Sequence, residues 1–118
     1  MIGINYRDSR PIYEQLTDYY KKLIVSGGIA KDEKLPSVRE LASQYAINPN
    51  TIQRAYRDLE KDGYIYSVPG KGSFAVDLNE ISEKHLEEIY ERLDKVLSDF
   101  DAAGEEREKI AEYVLKDN

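Results

Sequence analysis

Asn50, Gln53, Arg54, Arg57 and Lys61 are spaced so that, at about 100° per residue of a helix, they gather on one face. That face holds two amides, three cations and no acid. An arginine fork matches the two acceptors of a guanine edge in the major groove, and a carboxamide matches the donor and acceptor of adenine. A solvated helix face would be equally polar, so the pattern gains meaning only from the elements that place it. A second set is Gly70-Lys71-Gly72, where a cation stands between glycines whose bare backbone lets it approach a phosphate closely. It is not a nucleotide-binding loop, which needs Gly, four residues, then Gly-Lys-Ser/Thr leading into a helix. Here strand-forming residues follow instead.

The elements that position both sets are legible as capped, periodic segments. Ile52, Ala55, Tyr56 and Leu59 fall at i, i+3, i+4 and i+7, opposite the polar face. Asn48 supplies an N-cap, Pro49 suits the first helical position, and Gly63 marks a left-handed stop. Upstream, Ser37-Val38-Arg39-Glu40 reads as a capping box opening a helix of about nine residues with Val38, Leu41, Ala42 and Tyr45 inward. Ala46-Ile47 turns the chain between the two helices. Downstream, Tyr64 to Val68 and Ser73 to Val76 flank a Pro-Gly turn and predict a hairpin. Two short helices across a tight turn, then a hairpin, make a winged helix-turn-helix. In such a unit the N-terminal part of the second helix reaches base edges, which points to Asn50, Thr51, Gln53 and Arg54.

A third helix is needed to close the core. Pro11 to about Ser26 provides it, with Ile12, Leu16, Tyr19/Tyr20, Leu23 and Ile24 as its stripe, Pro in its first turn and Gly27-Gly28 at its end. Residues 29–34 then form a loop or short edge strand, and residues 1–10 a short strand or ordered arm. Of the 10 tyrosines, Tyr13, Tyr19, Tyr20, Tyr45, Tyr56, Tyr64 and Tyr66 mostly fall on apolar stripes or strands and are read as core or core-edge residues.

The chain has 118 residues and a net charge of −6, which at first argues against a nucleic-acid partner. The charge is divided unevenly. Residues 1–76 carry 11 Lys+Arg against 9 Asp+Glu, a net of +2, whereas residues 77–118 carry 6 against 14, a net of −8. With a head of only +2, affinity for DNA would rest on locally placed cations rather than on bulk attraction. No cysteine is present, so no disulfide or thiolate metal site is expected, and a cytoplasmic setting is the default. No signal pattern or membrane span is visible. His85, among Glu83, Lys84, Glu87 and Glu88, is expected to be solvated, and no metal or cofactor is expected. With no reactive set of residues in sight, an enzyme is not the expectation.

From Asn79 onward Ile81, Leu86, Ile89, Tyr90, Leu93, Val96, Leu97 and Phe100 form a helical stripe with acids outside. Ala102-Ala103-Gly104 breaks it, and Ile110, Tyr113 and Val114 mark a shorter helix that folds back as a hairpin. Such a stripe must be covered, either by the chain's own head or by the same segment of a second chain. The second is favoured, because helix-turn-helix proteins use two half-sites. Dimerisation is therefore assigned to Leu86, Ile89, Tyr90, Leu93, Val96, Leu97 and Phe100. Helix packing claims the tail's apolar positions, so no large buried ligand pocket is expected there, and the sequence names no effector.

Several separated motifs, Pro11-Ile12-Tyr13-Glu14-Gln15-Leu16, Ser26-Gly27, Leu35-Pro36-Ser37-Val38-Arg39-Glu40-Leu41-Ala42 and Gly70-Lys71-Gly72-Ser73-Phe74-Ala75-Val76, resemble in order the DNA-binding domain of the GntR family of bacterial transcription regulators. The resemblance covers roughly 11–76. It implies a dimer on a near-palindromic double-stranded DNA operator, with contacts at Ser37, Arg39, Thr51, Arg54, Gly70, Lys71 and Gly72. Two positions depart from the family pattern. Asp32-Glu33 stand where a Gly is frequent, and Pro49-Asn50 stand where a Ser-Arg pair is common, so base preference does not carry over. The Asn-Pro-Asn-Thr variant and short tail are similar to the YtrA subfamily, which implies a small helical dimerisation unit and a repressor tied to transporter genes.

The expected fold is thus mainly α with a small β-hairpin: a winged helix-turn-helix over 1–76, then a C-terminal helical dimerisation hairpin over 77–118. The expected function is sequence-specific DNA-binding transcription regulation. The rival is a winged helix used only for protein contacts, which would put acids or large apolar residues on the outer face of the second helix.

Overall fold

The computed structural model describes residues 2–77 and 83–116, the side chain of Lys84 excepted. They cluster as two compact units that part between residues 82 and 83. The first unit contains α1 (Ile12–Ser26), α2 (Val38–Tyr45), α3 (Pro49–Lys61), β1 (Ile65–Val68) and β2 (Gly72–Ala75). The second contains α4 (Glu83–Ala102) and α5 (Arg107–Leu115). The predicted stripe residues Asn79 and Ile81 lie outside the described residues.

The two helices of the turn begin where a side chain meets an orphan N–H group. Ser37 Oγ accepts from the Glu40 N–H at 3.0 Å, and Asn48 Oδ1 accepts from the Asn50 N–H at 2.9 Å with Pro49 following. Only this half of the capping box forms; among the described residues the Glu40 carboxylate does not return a bond to Ser37. Pro11 stands at the N-cap of α1, one position earlier than predicted. Gly27 and Gly63 end α1 and α3 with φ of 82° and 84°, and the Tyr64 N–H donates back to Leu59 O at 2.9 Å. Ala46 ends α2 in the same left-handed region, φ 52°.

Burial selects the predicted faces. Ile52, Ala55 and Leu59 are fully buried on α3, against Leu16, Tyr20 and Ile24 of α1 and Leu41 of α2, with Leu35, Ile47, Ile65 and Ala75 completing the core. Tyr20 meets Tyr56 edge to face, and Tyr56 Oη donates to Pro36 O at 2.6 Å, anchoring the segment that leads into α2. Burial pushes the Tyr20 phenol from 10.0 up to about 12. Tyr56 is raised further, again by burial first, then by Tyr20.

The amino-terminal arm is ordered but not a strand. Ile2 enters the core, and the buried Gln15 accepts from the Asn5 N–H at 2.9 Å while donating to Asn5 O at 3.0 Å and Arg10 O at 3.2 Å. The loop after α1 becomes an edge segment of the wing: Lys34 bridges Phe74, Leu35 N–H donates to Ser73 O, and Ala75 N–H donates to Glu33 O. Asp32 makes this possible with φ 63°, a conformation that aspartate tolerates better than most side chains. Its N–H donates to Ala75 O, and its Oδ1 accepts from Tyr66 Oη at 2.8 Å. An aspartate thus fills a backbone role to which glycine is better suited.

In the second unit, Gly104 (φ 78°) and the Glu105 N–H, donating to Phe100 O at 2.9 Å, end α4 before α5 folds back. The two helices do not cover their apolar side chains. Leu86, Tyr90, Leu93 and Val96 on α4 are between 45% and 64% exposed, and Tyr113 and Val114 on α5 exceed 65%. Between the helices lies a cleft of about 530 Å³ lined by Leu93, Val96, Leu97, Phe100, Ile110 and Tyr113. The tail's apolar positions are therefore not covered within its own unit, where of the apolar side chains lining the cleft only Leu97 and Ile110 are half-buried. His85 is also not solvated: it is 7% exposed. It lies one helical turn before Ile89, and the Glu88 carboxylate approaches its Nδ1 to 3.9 Å.

Two stability predictions follow from the backbone and the tyrosines. Ala46→Gly should stabilise the protein by about 0.5–1 kcal/mol, because alanine's left-handed penalty exceeds glycine's extra unfolded-state entropy at this exposed position. A raised melting temperature checks it; a fall would refute it. The tyrosine contribution is fully present below pH 10, where both states are protonated, and is lost as pH rises from 10.0 towards about 12, where only the unfolded phenol ionises freely. Urea midpoints should be flat from neutrality to just below that range and then decline, less steeply in Tyr20→Phe.

Candidate nucleic-acid interface

α3 carries the amide and cation face outward. Asn50, Gln53, Arg54 and Arg57 are exposed, and Thr51 is half-buried at the helix start. No acid occupies the first turn of α3, so its dipole meets an approaching phosphate unopposed, while the Asn50 and Thr51 N–H groups are taken by Asn48. Glu60, farther along, is turned to the wing, where it accepts from the Ser67 N–H and Oγ, both at 3.2 Å. Its charge is thereby kept at the end of α3 remote from Asn50.

Arg54 does not wave in solvent. Its guanidinium carbon lies 3.7 Å from the centroid of the Tyr13 ring, and its Nη2 donates to Tyr13 Oη at 3.1 Å. Tyr13, read from sequence as a core-edge residue, packs against the core and also supports the arginine. Helical periodicity could show that Tyr13 lies on a stripe, but not that its outer rim meets a residue 41 positions away.

The wing is an antiparallel hairpin with Ile65 opposite Ala75 and Val68 opposite Gly72. Pro69 and Gly70 (φ 75°) form its tip, closed by the Lys71 N–H donating to Val68 O at 2.9 Å. Gly70, Lys71 and Gly72 are exposed. Gly72 has φ 119°, and a Cβ there would stand 2.9 Å from Lys34 Cε. Lys34, which sequence reasoning placed in a loop or short edge strand, therefore runs its side chain alongside β2 from Phe74 to Gly72, towards the tip of the wing.

One cleft joins Ser37 to Lys34, Lys71 and Gly72. The Ser37 oxygen is engaged as a helix cap, and its O–H remains a donor. Arg39 is exposed on the other flank of α2, beside a shallow depression with Ala42, Ser43, Ile47 and Pro49. The predicted residues therefore form three patches of one unit: the outer face of α3, the start of α2 with Arg39, and the wing cleft with Ser37. Each presents donors suited to phosphates or base edges, and none includes a catalytic arrangement. Among the described residues no group of His, Asp and Glu could hold a metal ion, and no helix is long and apolar enough to cross a membrane.

Three helices with a wing, presenting cations and amides on the second helix of the turn, define a winged helix-turn-helix DNA-binding regulator. The chain belongs to the GntR family of bacterial regulatory proteins, whose family model matches residues 12–75. It is 39% identical over 116 residues to the HTH-type transcriptional repressor YtrA of Bacillus subtilis (strain 168), covering 97% of this chain and 89% of that protein. The match thus includes the tail, in keeping with the YtrA-like resemblance. A transcriptional antiterminator from Listeria monocytogenes EGD-e has a similar structure, with a TM-score of 0.78 and 35% identity over 97% of this chain and 87% of that one. The DNA-binding domain of AraR, solved in complex with operator ORR3, matches with a TM-score of 0.55 and 32% identity, over 63% of this chain and 89% of that one. These relatives are regulators, and the chain is a regulator rather than an enzyme.

Proposed function

We propose that the protein is a homodimeric repressor acting in the cytoplasm on a near-palindromic operator, with α3 in the major groove and the wing and α2 start on the sugar–phosphate backbone. The observation that carries this reading is the exposed start of α3, with no acid in its first turn and with Arg54 braced on it. In this reading Arg54, Gln53, Asn50 and Thr51 reach bases. Ser37, Arg39, Arg57 and Gly70-Lys71-Gly72 hold phosphates. The protein-contact alternative fares worse, since the outer face of α3 carries neither acids nor large apolar side chains near its start. Repression and a link to transporter genes come from the likeness to YtrA and its subfamily.

Dimerisation is assigned to the second unit. Its stripe, exposed at Leu86, Ile89, Tyr90, Leu93, Val96 and Phe100 and half-buried at Leu97, needs a cover, and a second copy offers one of matching chemistry. A net charge of −8 over residues 77–118 would keep this unit away from the duplex. Pairing makes the second half-site contact intramolecular, which raises avidity by about 10²–10⁴ without a new base contact.

Three variants separate these roles. Arg54→Ala should cost about 1–3 kcal/mol on the selected operator and relax preference at one base pair; an equal loss on scrambled DNA would reduce it to a phosphate contact. Lys71→Ala should weaken all sequences alike and lower the salt slope by about one per half-site. An unchanged slope would remove the wing from the interface. Leu93→Asp should yield a folded monomer by sedimentation, with operator affinity reduced by about 10²–10⁴. A variant that stays dimeric and binds normally would overturn the dimer assignment.

A further inference from the structure

Arg54 stands on α3, yet both of its recorded contacts are with one residue of α1: the Tyr13 ring under its face and the Tyr13 hydroxyl beside Nη2. Among the described residues it makes no ion pair. The usual anchor for an exposed arginine is a carboxylate, which would compete directly with a base and leave an acid facing phosphates once displaced. A phenol does neither.

We propose that Tyr13 is the positioning residue that aims Arg54 at a guanine, an inference that rests on the DNA-binding reading above. A guanidinium recognises guanine in its own plane, through two N–H groups directed at O6 and N7. Tyr13 occupies the orthogonal direction, the π-face, and takes one of five N–H donors. The edge that reads the base is left open. The stack also removes much of the rotamer freedom that a long side chain would lose on binding, so the ordering cost is met in the free protein.

Tyr13 suits this role because its own position is fixed. It is the second residue of α1, half-buried with its body against the core, and α1 packs along α3. The support under Arg54 thus belongs to the scaffold and not to the recognition helix. Base choice at one operator position then depends on a residue that need not touch DNA.

The test uses the full chain and a consensus selected from random duplex DNA by the wild type. Kd is measured on that consensus and on its single-base variants for wild type, Tyr13→Phe, Tyr13→Leu, Arg54→Ala and Tyr13→Leu/Arg54→Ala. Tyr13→Leu, which keeps an apolar body against the core, should bind the consensus about two- to fivefold more weakly, the range expected for loss of an exposed cation–π contact. It should also lose discrimination at the same base pair that Arg54→Ala relaxes. Tyr13→Phe, which keeps the stack, should retain that discrimination. The double variant should match Arg54→Ala alone, because Tyr13 acts only through Arg54.

If Arg54→Ala relaxes one position and Tyr13→Leu does not, the positioning role is overturned while DNA binding stands. The same holds if Tyr13→Leu weakens binding equally in the Arg54→Ala background. Failure of the wild type to enrich any sequence would sink the DNA-binding reading itself, and this inference with it. Should Tyr13→Leu not fold, NMR of the wild type decides: the Arg54 side-chain protons must show an upfield ring-current shift, and ordinary positions for them refute the proposal.

Discussion

The structure depends on the burial of one helix flank. Ile52, Ala55 and Leu59 are wholly withdrawn from solvent, and because their spacing fixes the rotation of α3 about its axis, the opposite flank is held outward with little freedom to turn. Each such side chain contributes about 1.5–3 kcal/mol for a branched residue, less for alanine. Rotating α3 by even one residue would expose an isoleucine or leucine and bury a charge. The face proposed to read DNA is thus specified by the residues that are not on it. A local change in the core would reach this outer side by rotation before it did so by unfolding.

Much of this was readable from residue order. Caps at Ser37 and Asn48, the glycine at position 63, the period of the apolar residues and the Pro-Gly tip are local signals, each set by neighbours within about four positions along a helix or across a turn. They placed α2, α3 and the wing to within a residue or so, together with the outward orientation of Asn50, Gln53, Arg54 and Arg57. Family resemblance added Ser37 and Arg39, which local chemistry alone would have treated as a cap and a solvated cation.

What remained hidden was tertiary. Lys34 and Gly72 are 38 positions apart and meet only because the segment after α1 pairs with β2. Tyr13 and Arg54 meet across two helices. His85 was misjudged for a different reason: acidic neighbours in sequence were read as a sign of exposure, whereas the side chain is buried with Glu88 beside it. Asp32 shows a local signal being misread, since the absence of glycine left its turn open while aspartate adopted the left-handed geometry itself.

The wing has a consequence for association as well as for recognition. A two-stranded hairpin ordinarily offers two unpaired borders to which a foreign strand can add, a hazard for any protein working at high local concentration along a chromosome. Here β2 is flanked by residues 33–35 on one side and β1 on the other, while on β1 the Ser67 N–H is occupied by the Glu60 carboxylate. A carboxylate at that spot also repels incoming backbone carbonyls. The hairpin is therefore a poor template for strand addition, and self-association through the head is disfavoured by the same contacts that stiffen the wing.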